Sequence, residues 1–337
     1  MTDPIPTTPP AVQAPTLDPT TVARCQELFT RLQTELRRLF VGQDELVLGL
    51  LTAVAAGGHV LVESLPGLGK TLLVKALGRL LGLKNTRIQF TPDLMPSDIT
   101  GSHVLDPSTR QFTFHQGPVF TQFLLADEVN RAPAKTHSAL LEAMQERQVT
   151  LDGTRYPLPE PFLVMATQNP IDSEGTYQLP EAALDRFLFK LVLDYPTQDE
   201  EERILTLHQS GSSPERLLDQ AAPVTTAATV QQLQRLASQV AVDPAITAYI
   251  ARLVRATRSA PGLYLGASPR AGVALLCAAR ATALLRGRAF VVPDDVADLA
   301  LPALRHRVIL APEAEVEGRN ADAILTELVK GVEVPRV

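Results

Sequence analysis

The sequence predicts an α/β domain built on a parallel sheet, followed by a domain made of helices. Short apolar runs alternate with helical patterns at 59–63, 86–90, 123–126, 162–167 and 187–193. Continuous apolar strands separated by helices are typical of a parallel sheet that is covered on both faces. Beyond Pro196 only helical patterns follow. A length of 337 residues agrees with two domains, because it exceeds what one hydrophobic core usually organises.

Changes in composition divide the chain into three parts. Residues 1–17 are rich in proline and threonine and lack the pattern of a signal peptide, so we expect a disordered tail. We expect the α/β domain at 18–196 and the helical domain at 197–337. The polar stretch 209–225 predicts a loop. Helix starts are predicted at Asp18-Pro19, Thr197 with Glu200, Thr229 with Gln232, Asp243-Pro244 and Ser268-Pro269.

Composition and charge argue against several classes of protein. The net charge of −6 gives no basic footprint for nucleic acid. The uncharged run 46–62 is short and is interrupted by Gly57-Gly58, which predicts a buried helix, a turn and a strand rather than a membrane span. We therefore expect a cytoplasmic protein. Cys25 and Cys277 are far apart and the six histidines form no ligand pattern, so we expect no zinc site.

The stretch SLPGLGKT resembles the phosphate-binding pattern G-x-x-x-x-G-K-[ST] but begins with Ser64 instead of glycine. It follows a predicted strand and opens a predicted helix, as such a loop requires. Gly67 and Gly69 would let backbone N–H groups approach a polyphosphate, Lys70 would reach its β- and γ-phosphates, and Thr71 would ligate Mg²⁺. If Ser64 needed a positive φ, serine would cost roughly 1–2 kcal/mol relative to glycine. By itself the stretch could also be a glycine turn with a solvated lysine.

Polar side chains follow two other predicted strands. Asp127 and Glu128 come directly after the apolar run FLLA, where Asp127 would hold Mg²⁺ through water and Glu128 would polarise the attacking water. Asn169 ends the run FLVMATQ and would lie beside these acids, in reach of the water or the γ-phosphate. Two adjacent acids can also be a solvated strand end, and Asn169 before Pro170 can be a turn residue. Together with the loop, the three side chains favour a nucleotide site.

With these strands assigned, the sequence resembles the AAA+ ATPases, and within them the MoxR family. The resemblance covers about residues 20–335. It depends on the blocks VGQDELV (41–47), SLPGLGKT (64–71), IQFTPDLMPSDITG (88–101), FHQGPVF (114–120), LLADEVNRAPAKTHSALLEAMQERQVT (124–150), MATQNP (165–170), GTYQLPEAALDRF (175–187) and SPRA (268–271).

The resemblance implies a ring, usually a hexamer, with ATP and Mg²⁺ bound between subunits. It implies that Arg186 is an arginine finger directed at the neighbouring subunit's γ-phosphate, although Arg186 could also be a surface residue paired with an acid. Arg270 matches the sensor 2 arginine of the lid, acting in cis or in trans, and Arg131 is a weaker trans candidate. The nucleotide-binding residues implied are Val41, Gly42 and Gln43 near the adenine, and Pro66, Gly67, Leu68, Gly69, Lys70, Thr71 and Leu72 in the loop.

Two insertions also resemble this family. Residues 101–116 are similar to a hairpin inserted in the second helix of the domain, and residues 147–160 carry Asp152-Gly153, a hairpin turn signal. By resemblance, these hairpins would face the pore of the ring or the substrate. The first glycine of the loop varies within the family, so Ser64 weighs only slightly against hydrolysis.

Three functions remain open at this point. The resemblance implies a motor chaperone that couples ATP hydrolysis to the maturation of a partner protein, often one with a von Willebrand factor A domain. A nucleic-acid motor is an alternative, and the acidic composition weighs against it. A scaffold that binds nucleotide without turnover is the third, and Ser64 is its only support.

Overall fold

The computed structural model describes residues 17–65, 67–170, 177–209 and 214–336 of the chain. The expected tail, residues 1–17, therefore lies outside the described residues except for Leu17. The strands in chain order are β1 (Val60–Ser64), β2 (Asn85–Gln89), β3 (Gly101–Asp106), β4 (Gln111–Gln116), β5 (Phe123–Asp127), β6 (Gln148–Leu151), β7 (Thr154–Pro157), β8 (Leu163–Gln168), β9 (Phe189–Leu193), β10 (Leu263–Leu265) and β11 (Ile309–Leu310). The helices are α1 (Pro19–Leu39), α2 (Asp44–Ala56), α3 (Lys70–Leu81), α4 (Pro96–Thr100), α5 (Ala134–Glu146), α6 (Glu181–Leu184), α7 (Gln198–Gln209), α8 (Pro214–Gln220), α9 (Ala227–Ser238), α10 (Pro244–Thr257), α11 (Pro269–Leu285), α12 (Pro293–Leu304), α13 (Pro312–Val316) and α14 (Ala321–Gly331).

The centre of the first part is a five-stranded parallel sheet with the order β2-β5-β8-β1-β9. All five strands coincide with the five predicted apolar runs, apart from shifts of one or two residues at their ends. Side chains of β1 alternate between the two faces, so Val60 and Val62 enter one core and Leu61 enters the other. The sheet is covered on both faces, as its continuous apolar strands require.

Local sequence signals explain how the helices around the sheet begin and end. The Asp18 carboxylate accepts a hydrogen bond from the Thr21 N–H at 3.1 Å, which confirms Asp18 as the N-cap of α1. The run 46–62 forms the buried helix α2, a turn at Gly57 and then β1, as predicted. Gly57 adopts the left-handed conformation that commonly ends a helix.

The C-terminal part is a helical lid that shares its core with one face of the sheet. Helix α11 packs against α2, and α12 packs against β9. The predicted helical character of this part is confirmed. The sequence did not predict the short strands β10 and β11, which pair in a small antiparallel sheet that joins the end of α10 to the segment after α12. None of the described helices is long and apolar enough to cross a bilayer.

The predicted helix caps of the lid and the predicted loop at 209–225 are confirmed only in part. Asp243 and Ser268 cap α10 and α11 as predicted, with side chains that accept from N–H groups of the first turn. The N-cap of α9 is Thr226, whose hydroxyl accepts from the Thr229 N–H, so the prediction of Thr229 as a cap was wrong by one turn. The stretch 209–225 is not a continuous loop, because it includes the short helix α8, which packs against α1 and α3.

Both predicted hairpins are present and contact each other. The hairpin β3–β4 follows α4, and β6–β7 turns at Asp152-Gly153 with positive φ at both residues, as a tight hairpin turn requires. His103 Nδ1 lies 2.9 Å from the Asp152 carboxylate, and the Phe114 ring stacks on Tyr156 with centroids 4.1 Å apart. The exposed side chains Val104, Leu105 and Phe112 remain on the outer part of β3–β4.

The buried His59 imidazole gives the fold a predicted dependence on pH. Its Nδ1 accepts from the Val164 N–H at 3.1 Å, and its Nε2 contacts the Met144 carbonyl at 3.1 Å, so the neutral ring links β8 to the end of α5. Burial lowers the pKa of His59 from 6.5 to about 4, a shift that the Met144 carbonyl opposes and the Arg147 charge reinforces. Between these values only the unfolded chain takes up the proton. The neutral His59 ring therefore contributes fully to the free energy of unfolding above pH 6.5. This contribution, about 3 kcal/mol, is lost as the pH drops towards 4.

Urea denaturation at pH 7 and at pH 4.5 measures this effect. His59→Gln offers one acceptor and one donor in place of the ring but cannot be protonated in this range. We expect its free energy of unfolding to fall less between the two pH values than that of the unaltered protein. Equal losses in the two proteins would contradict a role for His59.

Candidate functional site

The strand order brings the predicted site residues to one edge of the sheet. Strand β8 lies between β1 and β5, and all three strands run in the same direction. The loop after β1, Asp127 at the end of β5 and Asn169 after β8 therefore lie at the same carboxyl edge. In open parallel sheets this edge is where ligands bind.

The loop between β1 and α3 has the backbone that close contact with phosphate requires. Gly67 and Gly69 have φ values of +84° and +77°, which are available to glycine and strained for other residues. A side chain at Gly67 would enter open space, and one at Gly69 would meet the Phe40 ring. Lys70 Nζ donates to the Ser64 and Leu65 carbonyls at 3.3 and 3.1 Å. Pro66 lies outside the described residues.

Ser64 is the last residue of β1 and is 2% exposed. It pairs with Leu193 in the parallel ladder and has no positive φ, so the conditional cost of serine at this position does not arise. Its hydroxyl donates to the Leu65 carbonyl at 2.9 Å. The departure from the usual first glycine therefore lies in the strand and leaves the turn itself unchanged.

Asp127 presents a carboxylate that is 5% exposed. One oxygen accepts from the Thr167 hydroxyl, and the other accepts from Arg87 Nε and Nη2 at 3.1 and 2.7 Å. The guanidinium of Arg87 thus neutralises the charge of a group that would otherwise be buried without a cation. Burial lowers the pKa of Lys70, and the charges of Asp127 and Glu128 oppose this shift, so the lysine and both acids act on each other.

Glu128 has a left-handed backbone with φ of 55°. Its N–H donates to the Thr167 hydroxyl at 2.9 Å. Its carboxylate accepts from Gln89 Nε2 at 2.9 Å and lies 3.2 Å from Arg131 Nε. Left-handed conformations of bulky residues cost about 1–3 kcal/mol and cluster at functional sites, where the surroundings hold them in place. Arg131 contacts Glu128 of its own chain, which does not favour the trans role considered for it.

The turn Val41–Gln43 lies beside the phosphate-binding loop. Phe40, which precedes it, packs on Gly69, and Gln43 Nε2 donates to the Asp194 carbonyl at 3.0 Å at the end of β9. Gly42 packs against the Glu200 side chain at the start of α7. The turn is therefore fixed between the loop and the first helix of the lid, a position suited to contact with a base next to the phosphates.

Arg186 and Arg270 lie at the opposite edge of the sheet. Both line a cavity of about 320 Å³ together with Gly58 and His59, which directly precede β1. The loop follows β1, and five residues at 3.3 Å each separate the two ends by roughly 15 Å. The side chains of Arg186 and Arg270 make no hydrogen bond with another described residue, and Asp185 binds Arg307 instead of Arg186. Among the described residues, Arg186 is therefore not paired with an acid, which was the alternative considered for it.

The residues at the carboxyl edge fit Mg-ATP by their chemistry. Mg²⁺ prefers oxygen ligands and usually keeps only one or two from the protein, with phosphates and water supplying the rest. Asp127 and Thr71 would provide this small set, and the described residues contain no larger group of acids, histidines and cysteines. The loop from Gly67 to Leu72, which includes Lys70, would hold the phosphates. Asn169, which is 7% exposed, would contact the γ-phosphate or the water.

Several residues of this site were not predicted from the sequence. Arg87 and Gln89 lie two residues apart on β2, so they share a face of the sheet and reach Asp127 and Glu128. That spacing next to the acidic strand was a usable signal. No sequence signal pointed to Thr167 or Arg307. Thr167 contacts a residue about 40 positions away in sequence, and Arg307 contacts one about 120 positions away.

Comparisons with known proteins agree with this geometry. Residues 59–189 match the family described as ATPase family associated with various cellular activities (AAA), and residues 255–328 match the AAA lid domain. Chaperone MoxR1 of Mycobacterium tuberculosis is 42% identical over 97% of this chain and 88% of its own length. YeaC, an uncharacterized protein of Bacillus subtilis, is 48% identical over 91% of this chain and 95% of its own length.

A solved structure shows the same fold. It is a crystal structure of a protein from Cytophaga hutchinsonii that is provisionally described as an ATPase, with 38% identity and a TM-score of 0.86. The superposition covers 94% of this chain and 98% of that chain. With an AAA+ domain, a helical lid and relatives named MoxR over most of its length, the chain belongs to the MoxR family of AAA+ ATPases.

Proposed function

We propose that this protein is a ring-forming Mg-ATPase whose active sites are shared between neighbouring subunits. The observation that carries the proposal is the separation of the two arginines from the loop of their own subunit. Arg186 and Arg270 lie at the amino edge of the sheet, and Lys70, Asp127 and Glu128 lie at the carboxyl edge. In a ring, the amino edge of one subunit would face the nucleotide of the next, which supports trans action of both arginines.

Each residue then has a defined role. Lys70 and the N–H groups of the loop bind the β- and γ-phosphates. Asp127 and Thr71 would hold Mg²⁺, which would supply positive charge beside these phosphates. Glu128 accepts the proton of the attacking water, and Asn169 orients that water or the γ-phosphate. Arg186 and Arg270 of the neighbour stabilise the charge that develops during phosphoryl transfer. Glu128 starts from contacts with Gln89 and Arg131, so it needs to exchange at least one of them for the water.

We further propose that hydrolysis drives the remodelling of a partner protein in the cytoplasm. Similarity to the chaperone MoxR1 supports this role. Resemblance to the family supports a hexamer and a partner with a von Willebrand factor A domain. The non-hydrolysing scaffold loses its support, because Ser64 does not distort the loop.

A shared site predicts that ATPase activity depends on assembly. We expect the specific rate of Mg-ATP hydrolysis to rise with protein concentration and then reach a plateau. Arg186→Ala should lower kcat by about 10³-fold, because a finger supplied in trans contributes 10³–10⁵ to phosphoryl transfer. Binding of a fluorescent ATP analogue should be retained, since the loop is unchanged.

The exposed Arg24 on α1 provides the matched control, and Arg24→Ala should hydrolyse ATP at the unaltered rate. Full activity of Arg186→Ala at every concentration would contradict the shared site. Hydrolysis that requires added DNA and is lost at high salt would favour the nucleic-acid motor instead.

A further inference from the structure

The segment that carries Arg186 is held by a buried arginine of the lid. The Arg307 side chain is only 3% exposed, and its Nε lies 2.7 Å from the Asp185 carboxylate. Its Nη2 donates to the carbonyls of Asp185 and Phe187 at 3.2 and 2.7 Å, and its Nη1 donates to that of Leu188 at 3.2 Å. The remaining acceptor is the Ala303 carbonyl within α12. Nearly all hydrogen-bonding capacity of this guanidinium is thus used on the residues directly around Arg186.

The same segment is tied to the start of the lid helix that carries Arg270. The second oxygen of Asp185 accepts from the Ser268 hydroxyl at 3.0 Å. The Ser268 oxygen also caps α11 by accepting from the Arg270 N–H at 3.1 Å. Asp185, which directly precedes the proposed finger, therefore contacts the residue that caps the helix carrying Arg270.

Arg186 itself has no hydrogen bond to a described residue that would orient its side chain. It follows the four-residue helix α6 and precedes β9, so its backbone lies outside regular structure. The direction of its guanidinium therefore depends on how its neighbours are held. Arg307 and Asp185 fix the position of these neighbours. His306 Nε2 adds a contact with the Phe187 carbonyl at 3.0 Å.

We propose that Asp185 and Arg307 are positioning residues that join the Arg186 segment and the start of α11 into one unit, which presents both arginines to the neighbouring subunit's nucleotide. The inference rests on the proposed shared site. Because one lid arginine holds the finger segment, a movement of the lid displaces Arg186 together with Arg270. The state of a subunit's lid is thereby transmitted to the site that the subunit completes in its neighbour.

The test uses Arg307→Lys, which keeps the positive charge but loses the several N–H donors of the guanidinium. Asp185→Asn and Ser268→Ala are milder changes to the same contacts. We expect kcat to fall about 10- to 100-fold in the first two, because a misplacement near 1 Å can cost that much. Ser268→Ala should show a smaller loss. Affinity for an ATP analogue should be unchanged in all three, since the loop of each subunit remains intact.

Mixed oligomers distinguish a positioning role of Asp185 and Arg307 from a general loss of structure in the altered subunit. Glu128→Gln subunits have an inactive site of their own but intact Arg186 and Arg270. When they are added in excess to Arg307→Lys or Asp185→Asn, complete sites form between an unaltered loop and an unaltered finger. We expect hydrolysis to recover, as it should when the same subunits are added to Arg186→Ala.

Arg288→Lys is the matched control, because it alters another lid arginine that binds a buried carboxylate, Asp295, away from the finger segment. Its kcat should be unchanged once thermal stability is accounted for. Wild-type activity of Arg307→Lys and Asp185→Asn beside an inactive Arg186→Ala would overturn the inference and leave the shared site standing. Loss of nucleotide binding without recovery in mixtures would show a merely structural role and also overturn it. An active Arg186→Ala would refute the shared site itself.

Discussion

Glu128→Gln is expected to bind Mg-ATP and to hydrolyse it about 10³-fold more slowly than the unaltered protein, within the usual range for loss of a general base. The amide has the shape of the carboxylate and keeps an oxygen for the donors Gln89 and Arg131, so the left-handed backbone of residue 128 should persist. The substitution removes the negative charge that, in the proposed mechanism, accepts a proton from the water. Single-turnover hydrolysis of labelled ATP measures this step without interference from product release.

The exposed Glu142 on α5 offers a control of the same chemistry, and Glu142→Gln should leave the rate unchanged. A Glu128→Gln protein that still hydrolyses ATP within a few-fold of the normal rate would mean that another group takes the proton. Loss of nucleotide binding in this variant would instead show that Glu128 acts in binding.

Asp295→Ala is expected to lower the free energy of unfolding by about 3–5 kcal/mol, the usual cost of removing one partner from a buried ion pair. The Asp295 carboxylate is fully buried and contacts Arg286 at 3.0 Å and Arg288 at 2.6 and 2.7 Å. It also accepts from the Val292 N–H at 3.0 Å, where α12 begins. Without it, two partly buried guanidinium groups and one helix start each lose an acceptor. Urea denaturation followed by circular dichroism measures the loss.

Asp298 provides an internal comparison, because it binds the same Arg286 at 2.7 Å from an exposed position. Asp298→Ala should cost no more than about 1 kcal/mol, as exposed ion pairs do. Similar losses in the two variants would show that burial does not set the strength of this cluster.

The strands and most helix starts could be predicted because their causes are local. A buried parallel strand needs a continuous apolar run, and a helix such as α1 needs a cap such as Asp18. The α9 cap was misplaced because Thr226 and Thr229 are three residues apart and both are good caps, and only the backbone geometry selects the first. Helix α8 was missed because its few apolar residues are held by α1 and α3, which are distant in sequence.

The site was predictable to the extent that its residues lie at strand ends. Parallel strands place their carboxyl ends together. The loop, the acids and Asn169 could therefore be assigned to one edge of the sheet from the strand directions alone. The sequence could not assign the edge of the sheet at which Arg270 lies, because that depends on how α11 packs on α2. The contacts of Arg307 are also invisible in the sequence, since nothing in the sequence shows which distant carboxylate or carbonyl its guanidinium will meet.

Ser64 has a practical consequence for recognising such sites in other chains. Its hydroxyl bonds to the next carbonyl inside the last pair of a strand ladder, so the residue needs a small side chain and no unusual torsion. The torsions that demand glycine are those of Gly67 and Gly69. A search that requires glycine at the first place of the pattern would reject this chain for a feature its backbone does not need. A search that weights glycine at the positions of Gly67 and Gly69 would find it.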